Sequence, residues 1–96
     1  MNASDFVGNI AVGNIVQVVW LGPLFDPDLI IKPGEATLGP SKVFTCGFVA
    51  FFNKEFVSIG IDSMFEGTNT EPSFRTILTI PVSSIISGEI YGKLTK

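Results

Sequence analysis

The chain has no histidine, so it lacks the usual neutral-pH acid–base group and the ordinary forms of Ser-His-Asp and Cys-His catalysis. Few other residues could do chemistry. Asp26-Pro27-Asp28 places two carboxylates around a proline. Such a pair could help hold a divalent cation, but no spaced set of further oxygen ligands follows it, and solubilising a loop is the simpler role. Asp62 and Glu66 form a second acidic pair, read as the solvated end of a strand. Cys46 stands alone between Phe44 and Phe48 and reads as a small buried packing residue rather than a nucleophile. A single cysteine supplies neither an internal disulfide nor a zinc cluster. No glycine-rich phosphate loop runs into Lys-Ser or Lys-Thr, and no glycine fingerprint opens a helix. Trp20 and the nine phenylalanines could stack bases. Basic residues are not interleaved with them, so core or interface packing explains them better. The expectation is a protein that is not an enzyme, uses no cofactor and binds no metal.

Charge bounds the partners further. Six basic residues (Lys32, Lys42, Lys54, Arg75, Lys93 and Lys96) are scattered among nine acidic ones, for a formal net charge of −3. Affinity for nucleic acid rests largely on cations neutralising phosphates, so the whole-chain charge argues against strong binding and leaves room only for a local site. Of the 96 residues, 46% are hydrophobic and 16% charged, where a soluble domain carries about 25% charged. A chain of this length has a thin core, so this much apolar surface points to burial between subunits. Its longest apolar run, Val43 to Phe52, falls short of the roughly 20 residues a spanning helix needs. The N-terminal Met1-Asn2-Ala3-Ser4-Asp5 lacks the basic start of a signal peptide. A cytoplasmic protein with no membrane partner is expected.

The elements that must position these residues are strands. Asn14 to Leu21, Lys42 to Phe52, Phe56 to Met64, Phe74 to Ile80 and Ile85 to Tyr91 are rich in β-branched and aromatic residues. In the third run, Val57, Ile59 and Ile61 alternate with Ser58, Gly60 and Asp62, the period of a half-buried strand. Asn53-Lys54-Glu55 makes a tight connection, Glu66 to Pro72 a polar turn, and Pro81 to Ser84 a short turn of one 3-10 turn's length. Residues 22–41 carry four prolines and read as one long loop, with Leu29-Ile30-Ile31 as a candidate short strand within it. The first dozen residues fit either a short helix or a strand. Gly8-Asn9-Ile10 and Gly13-Asn14-Ile15 are too brief to signal a repeat. The whole chain, 1–96, reads as one all-β domain: a small, strongly bent, five-stranded barrel of the SH3-like or Sm-like kind.

The stretch from about residue 43 to residue 90 resembles the Sm-like (LSm) family. Gly47, Val49, Phe52, Asn53 and Phe56-Val57 follow the hydrophobic skeleton of the first family signature, with Asp62 at its late acidic position. Leu78-Thr79-Ile80, Pro81-Val82 and Ser83-Ser84-Ile85-Ile86 follow the strand–turn–strand of the second. The resemblance implies a bent five-strand barrel and a ring of roughly five to seven copies, in which the fourth strand of one pairs with the fifth of the next. It also implies single-stranded RNA as a ligand, at a site made by Phe52, Asn53, Lys54 and Phe56. Val57 stands where the family has its loop Asn, and Pro81-Val82 where it has a basic-Gly pair, so stacking would have to replace base-specific hydrogen bonds. The expected role is therefore RNA binding or RNA-linked regulation by a ring; the alternative is a structural or protein-interaction module, such as a small phage or accessory protein, that binds no RNA.

Overall fold

Each alternating apolar run forms a strand in the computed structural model, which describes residues 1–22, 32–34 and 41–96. The strands are β1 (Asn14–Gly22), β2 (Ser41–Phe52), β3 (Phe56–Met64), β4 (Ser73–Pro81) and β5 (Ile85–Lys93). A 3-10 turn, Val82–Ser84, links the last two, and a helix, α1 (Ala3–Asn9), precedes the first. Of the ambiguous first dozen residues, Ala3–Asn9 are helical. Asn2 caps α1, its Oδ1 accepting from the Asp5 amide at 2.8 Å, and Asp5 adds negative charge to the first turn. Leu29-Ile30-Ile31 and the Asp26/Asp28 pair lie outside the described residues.

The strands form one antiparallel sheet in the order β4-β3-β2-β1-β5. The protein is thus mostly β. The sheet is open, since β4 and β5 are its two edges and do not pair with each other. Only three residues separate them in the chain, so the two ends of the sheet must approach each other at that point and the sheet must curl. The Val82 amide ties this turn to the β2–β3 connection by donating to the Glu55 carbonyl at 2.8 Å. Inside the curl lie Val16 and Val18 from β1, Val49 from β2, Val57 and Ile59 from β3, Ile80 from β4 and Ile85 from β5. Phe6 and Ile10, one helical turn apart, close the core from the helix side.

Close approach at two glycines sets how tightly these layers pack. A Cβ on Gly47 would stand 2.5 Å from the Gly60 carbonyl oxygen, which is backbone and cannot give way. A Cβ on Gly88 would collide with the Phe6 ring, so β5 receives the helix through a position with no side chain.

Beyond Gly47 and Gly60 the sheet forks. β2 pairs with β3 only from Phe48 to Phe52, whereas it pairs with β1 from Ser41 onward. β3 continues to Met64 with β4 alone. Two arms therefore leave a shared base, one of β3 and β4 alone and one of β2 and β1 with β5 alongside as far as Trp20, and the molecule measures 57 × 28 × 20 Å. Among the described residues, no helix is long and apolar enough to cross a membrane.

Candidate functional site

The turn between β2 and β3 is built by Asn53. Its Oδ1 accepts from the amides of Glu55 (2.7 Å) and Phe56 (2.9 Å), and its own amide donates to the Phe56 carbonyl at 3.0 Å. This self-bonded Asx arrangement is the local reason the chain reverses here. It also commits the Asn53 side-chain oxygen to the backbone. Lys54 is exposed at the tip, beside exposed Glu55.

The aromatic residues around the turn are sorted by a bulge. The β2–β3 register shifts between Val49 and Phe51, which leaves Ala50 as an extra residue. Strict alternation from inward-facing Val49 would turn Phe51 inward and Phe52 outward. The bulge exchanges them. Phe52 pairs across to buried Val57 and packs against the core, while Phe51 is exposed on the outer face. The Phe51 and Phe56 rings lie 5.7 Å apart at 31°, within the range of favourable aromatic pairs. Of the four residues expected to bind RNA, Asn53 and Lys54 are exposed, Phe56 is half-buried against Phe51, and Phe52 faces the core. Phe51 is the aromatic residue that simple alternation overlooks.

Cys46 is exposed, which corrects its reading as a buried packing residue. It pairs with Gln17 of β1 on the outer face, one position out of phase with the inward-facing Val49. Phe44, at 64% exposure, stands on the same face. Both sides of β2 are apolar, so its sequence did not reveal which side would meet the core. Asp62 pairs not with Glu66 but with Arg75 across the β3–β4 ladder, at 3.2 Å and near the surface. Among the described residues, no three His, Cys, Asp or Glu side chains gather as a cation site. An open polar cleft at Asn69–Ser73 is lined by the β3–β4 turn itself and presents no catalytic grouping.

The sheet edges carry more. On β4, Ile77 and Leu78 are exposed beyond Thr76, whose φ of 57° breaks the strand's regular geometry. On β5 the register against β1 shifts twice, leaving Ile86 and Tyr91 as extra residues. Both are turned to solvent. Between these bulges lies a regular stretch, Ser87 to Ile90, and part of it is already covered. Asn2 bridges to Ser87 in antiparallel fashion, the Gly88 amide donates to the Met1 carbonyl at 2.9 Å, and the Met1 nitrogen donates to the Gly88 carbonyl at 3.0 Å. The sequence signals for this arrangement were Asn2 three residues before Asp5, a helix start, and a glycine inside an apolar strand, a mark of close approach.

Compared with protein-family models, with curated proteins and with solved structures, the chain matches none.

Proposed function

We propose that this chain is a self-assembling module of the Sm-like kind, whose copies join into a closed ring by pairing the β4 edge of one with the β5 edge of the next, and that the ring acts as a structural or protein-interaction scaffold. The observation that carries this reading is that the two edge strands of one curled sheet each expose large apolar side chains, Ile77 and Leu78 on β4 and Ile86 and Tyr91 on β5. Unpaired edges with exposed apolar side chains are templates for another strand, and proteins that remain single usually blunt them with charge. Here the regular part of the β4 edge, Ile77 to Pro81, has no charged residue. Two different edges that meet head to tail form a heterologous interface, which closes into a ring when the rotation per copy allows. The curl of the sheet and the single 3-10 turn between β4 and β5 suit a strongly bent SH3-like or Sm-like barrel.

Light scattering on a sizing column tests the ring directly. A closed species of roughly five to seven copies is expected. A chain that stays monomeric at high micromolar concentration refutes the proposal.

A second reading, binding of single-stranded RNA, has one observation in its favour. Phe51 and Phe56 form an outward aromatic pair beside exposed Lys54 at the hairpin tip. A ring would repeat this weak platform and let one strand engage several copies.

A further inference from the structure

The edge of β5 that the ring would use is partly occupied by the chain's own first two residues. We infer that Met1 and Asn2 act as an intramolecular edge guard, which competes with the β4 strand of a second copy for Ser87–Glu89 and so controls when the chain assembles. This inference rests on the ring reading above and adds its regulation.

The competition follows from the hydrogen bonds. The Gly88 amide and carbonyl point away from β1 and are both taken by Met1, at 2.9 and 3.0 Å. A backbone amide offers one proton, so an incoming strand cannot make the same bond while Met1 holds it. The Met1 nitrogen also donates to the exposed Glu89 carboxylate at 3.0 Å, which anchors the guard's end beside the edge. The occupied stretch lies between the bulges at Ile86 and Tyr91, so the guard sits on the part of β5 best suited to receive another strand.

The guard is close at hand and easily released. Asn2 caps α1, and α1 is fixed to β5 by Phe6 seated on Gly88, so the two residues stay beside the edge even when displaced. Yet they form a single isolated bridge, and both are exposed, so little packing is lost when they leave. The β4 edge carries no comparable cover among the described residues. The free chain thus has one open edge and one guarded edge, and the guarded one sets the threshold for assembly.

A reversible lock tests the guard. In a chain carrying Asn2→Cys and Ser87→Cys, with Cys46→Ser to remove the native thiol, oxidation would join the bridged pair and hold the guard closed. Light scattering on a sizing column, with and without reductant, should show monomer when oxidised and oligomer when reduced. An equal oligomer in both states overturns the guard and leaves the ring standing. Monomer in every state, wild type included, overturns the ring reading and the guard with it. A second variant, lacking residues 1 and 2, covers the case in which the disulfide fails to form. Its assembly midpoint should shift toward lower concentration by the inverse of the fraction of chains whose guard is open, about tenfold for a guard closed nine-tenths of the time. An unchanged midpoint overturns the guard.

Discussion

Single residues decide how the layers of this molecule meet, and Gly88 does so most directly. Any side chain there collides with the Phe6 ring. Gly88→Ala should therefore destabilise the fold by about 1–3 kcal/mol through overpacking, a fall of roughly 4–8 °C in melting temperature per kcal/mol for a domain of this size. Gly92 on the same strand is the control. A Cβ there meets only Ile15 Cδ1 at 3.9 Å, an ordinary contact, so Gly92→Ala should leave the melting temperature within a few degrees. Thermal unfolding followed by circular dichroism separates the two. At this scale much was legible and some was not. The Val57, Ile59, Ile61 alternation in β3 located buried Val57 and Ile59. Ile61 is exposed, because by that point the fork has carried β3 away from β2. The outward turn of Phe51 and inward turn of Phe52 depend on one extra residue, Ala50, which no periodicity announces. The exposure of Cys46 depends on a choice between two apolar faces, which only the tertiary packing makes.

At the scale of elements, β5 separates solvent-facing from core-facing apolar residues. Ile86 is a bulged residue turned to solvent, whereas Ile90 packs against the core. A sequence reading treats the two as equivalent apolar residues of one strand. The structure separates them. Ile86→Lys should leave the melting temperature of the isolated chain nearly unchanged and weaken the oligomer seen by light scattering. Ile90→Lys should lower stability by several kcal/mol, since a charge would enter a half-buried apolar site. If both variants unfold alike, the bulge assignment is wrong. The strand boundaries were legible because β-branched runs alternate with Gly, Pro and Asn turns. The short helix was harder to read, since Ala3–Asn9 is too brief to show a helical period and depends on its Asn2 cap and on Phe6. Asn2→Ala should loosen that helix by about 1 kcal/mol, read as a loss of amide protection over residues 3–9.

At the scale of the whole molecule, net charge and aromatic placement set the expected RNA affinity. Each copy is acidic, with a formal charge of −3, and its candidate platform has a single lysine, Lys54. Fluorescence anisotropy with labelled uridine- or adenosine-rich oligonucleotides, on verified oligomer at low salt, should give weak binding with a shallow salt dependence, because few phosphates are neutralised. Lys54→Glu and Phe51→Ala should each reduce it without changing the oligomer. Absence of binding at tens of micromolar leaves the scaffold as the sole reading. The five-strand composition of the fold was legible from turn spacing. The openness of the sheet was not, because closure depends on how far a curl proceeds and on which edges a second chain covers.

The fork in the sheet has a consequence for how the molecule moves in time. Its base, where β2 pairs with β3 and the core residues gather, and its two arms are held by different numbers of neighbours. The β3–β4 arm is a lone two-stranded ribbon, whereas in the other arm β1 still pairs with β5 as far as Trp20, and lone ribbons open with little free energy. Amide protons in Asp62 to Met64 should therefore exchange with deuterium far sooner than those of Val57 to Ile59, although all belong to the same strand. A strand such as β3 would then be slow at one end and fast at the other, with the change falling near Gly60. Residues that look continuous in sequence and in hydrogen bonding would belong to two separately opening units, and a protease would find the β3–β4 arm before it found the core.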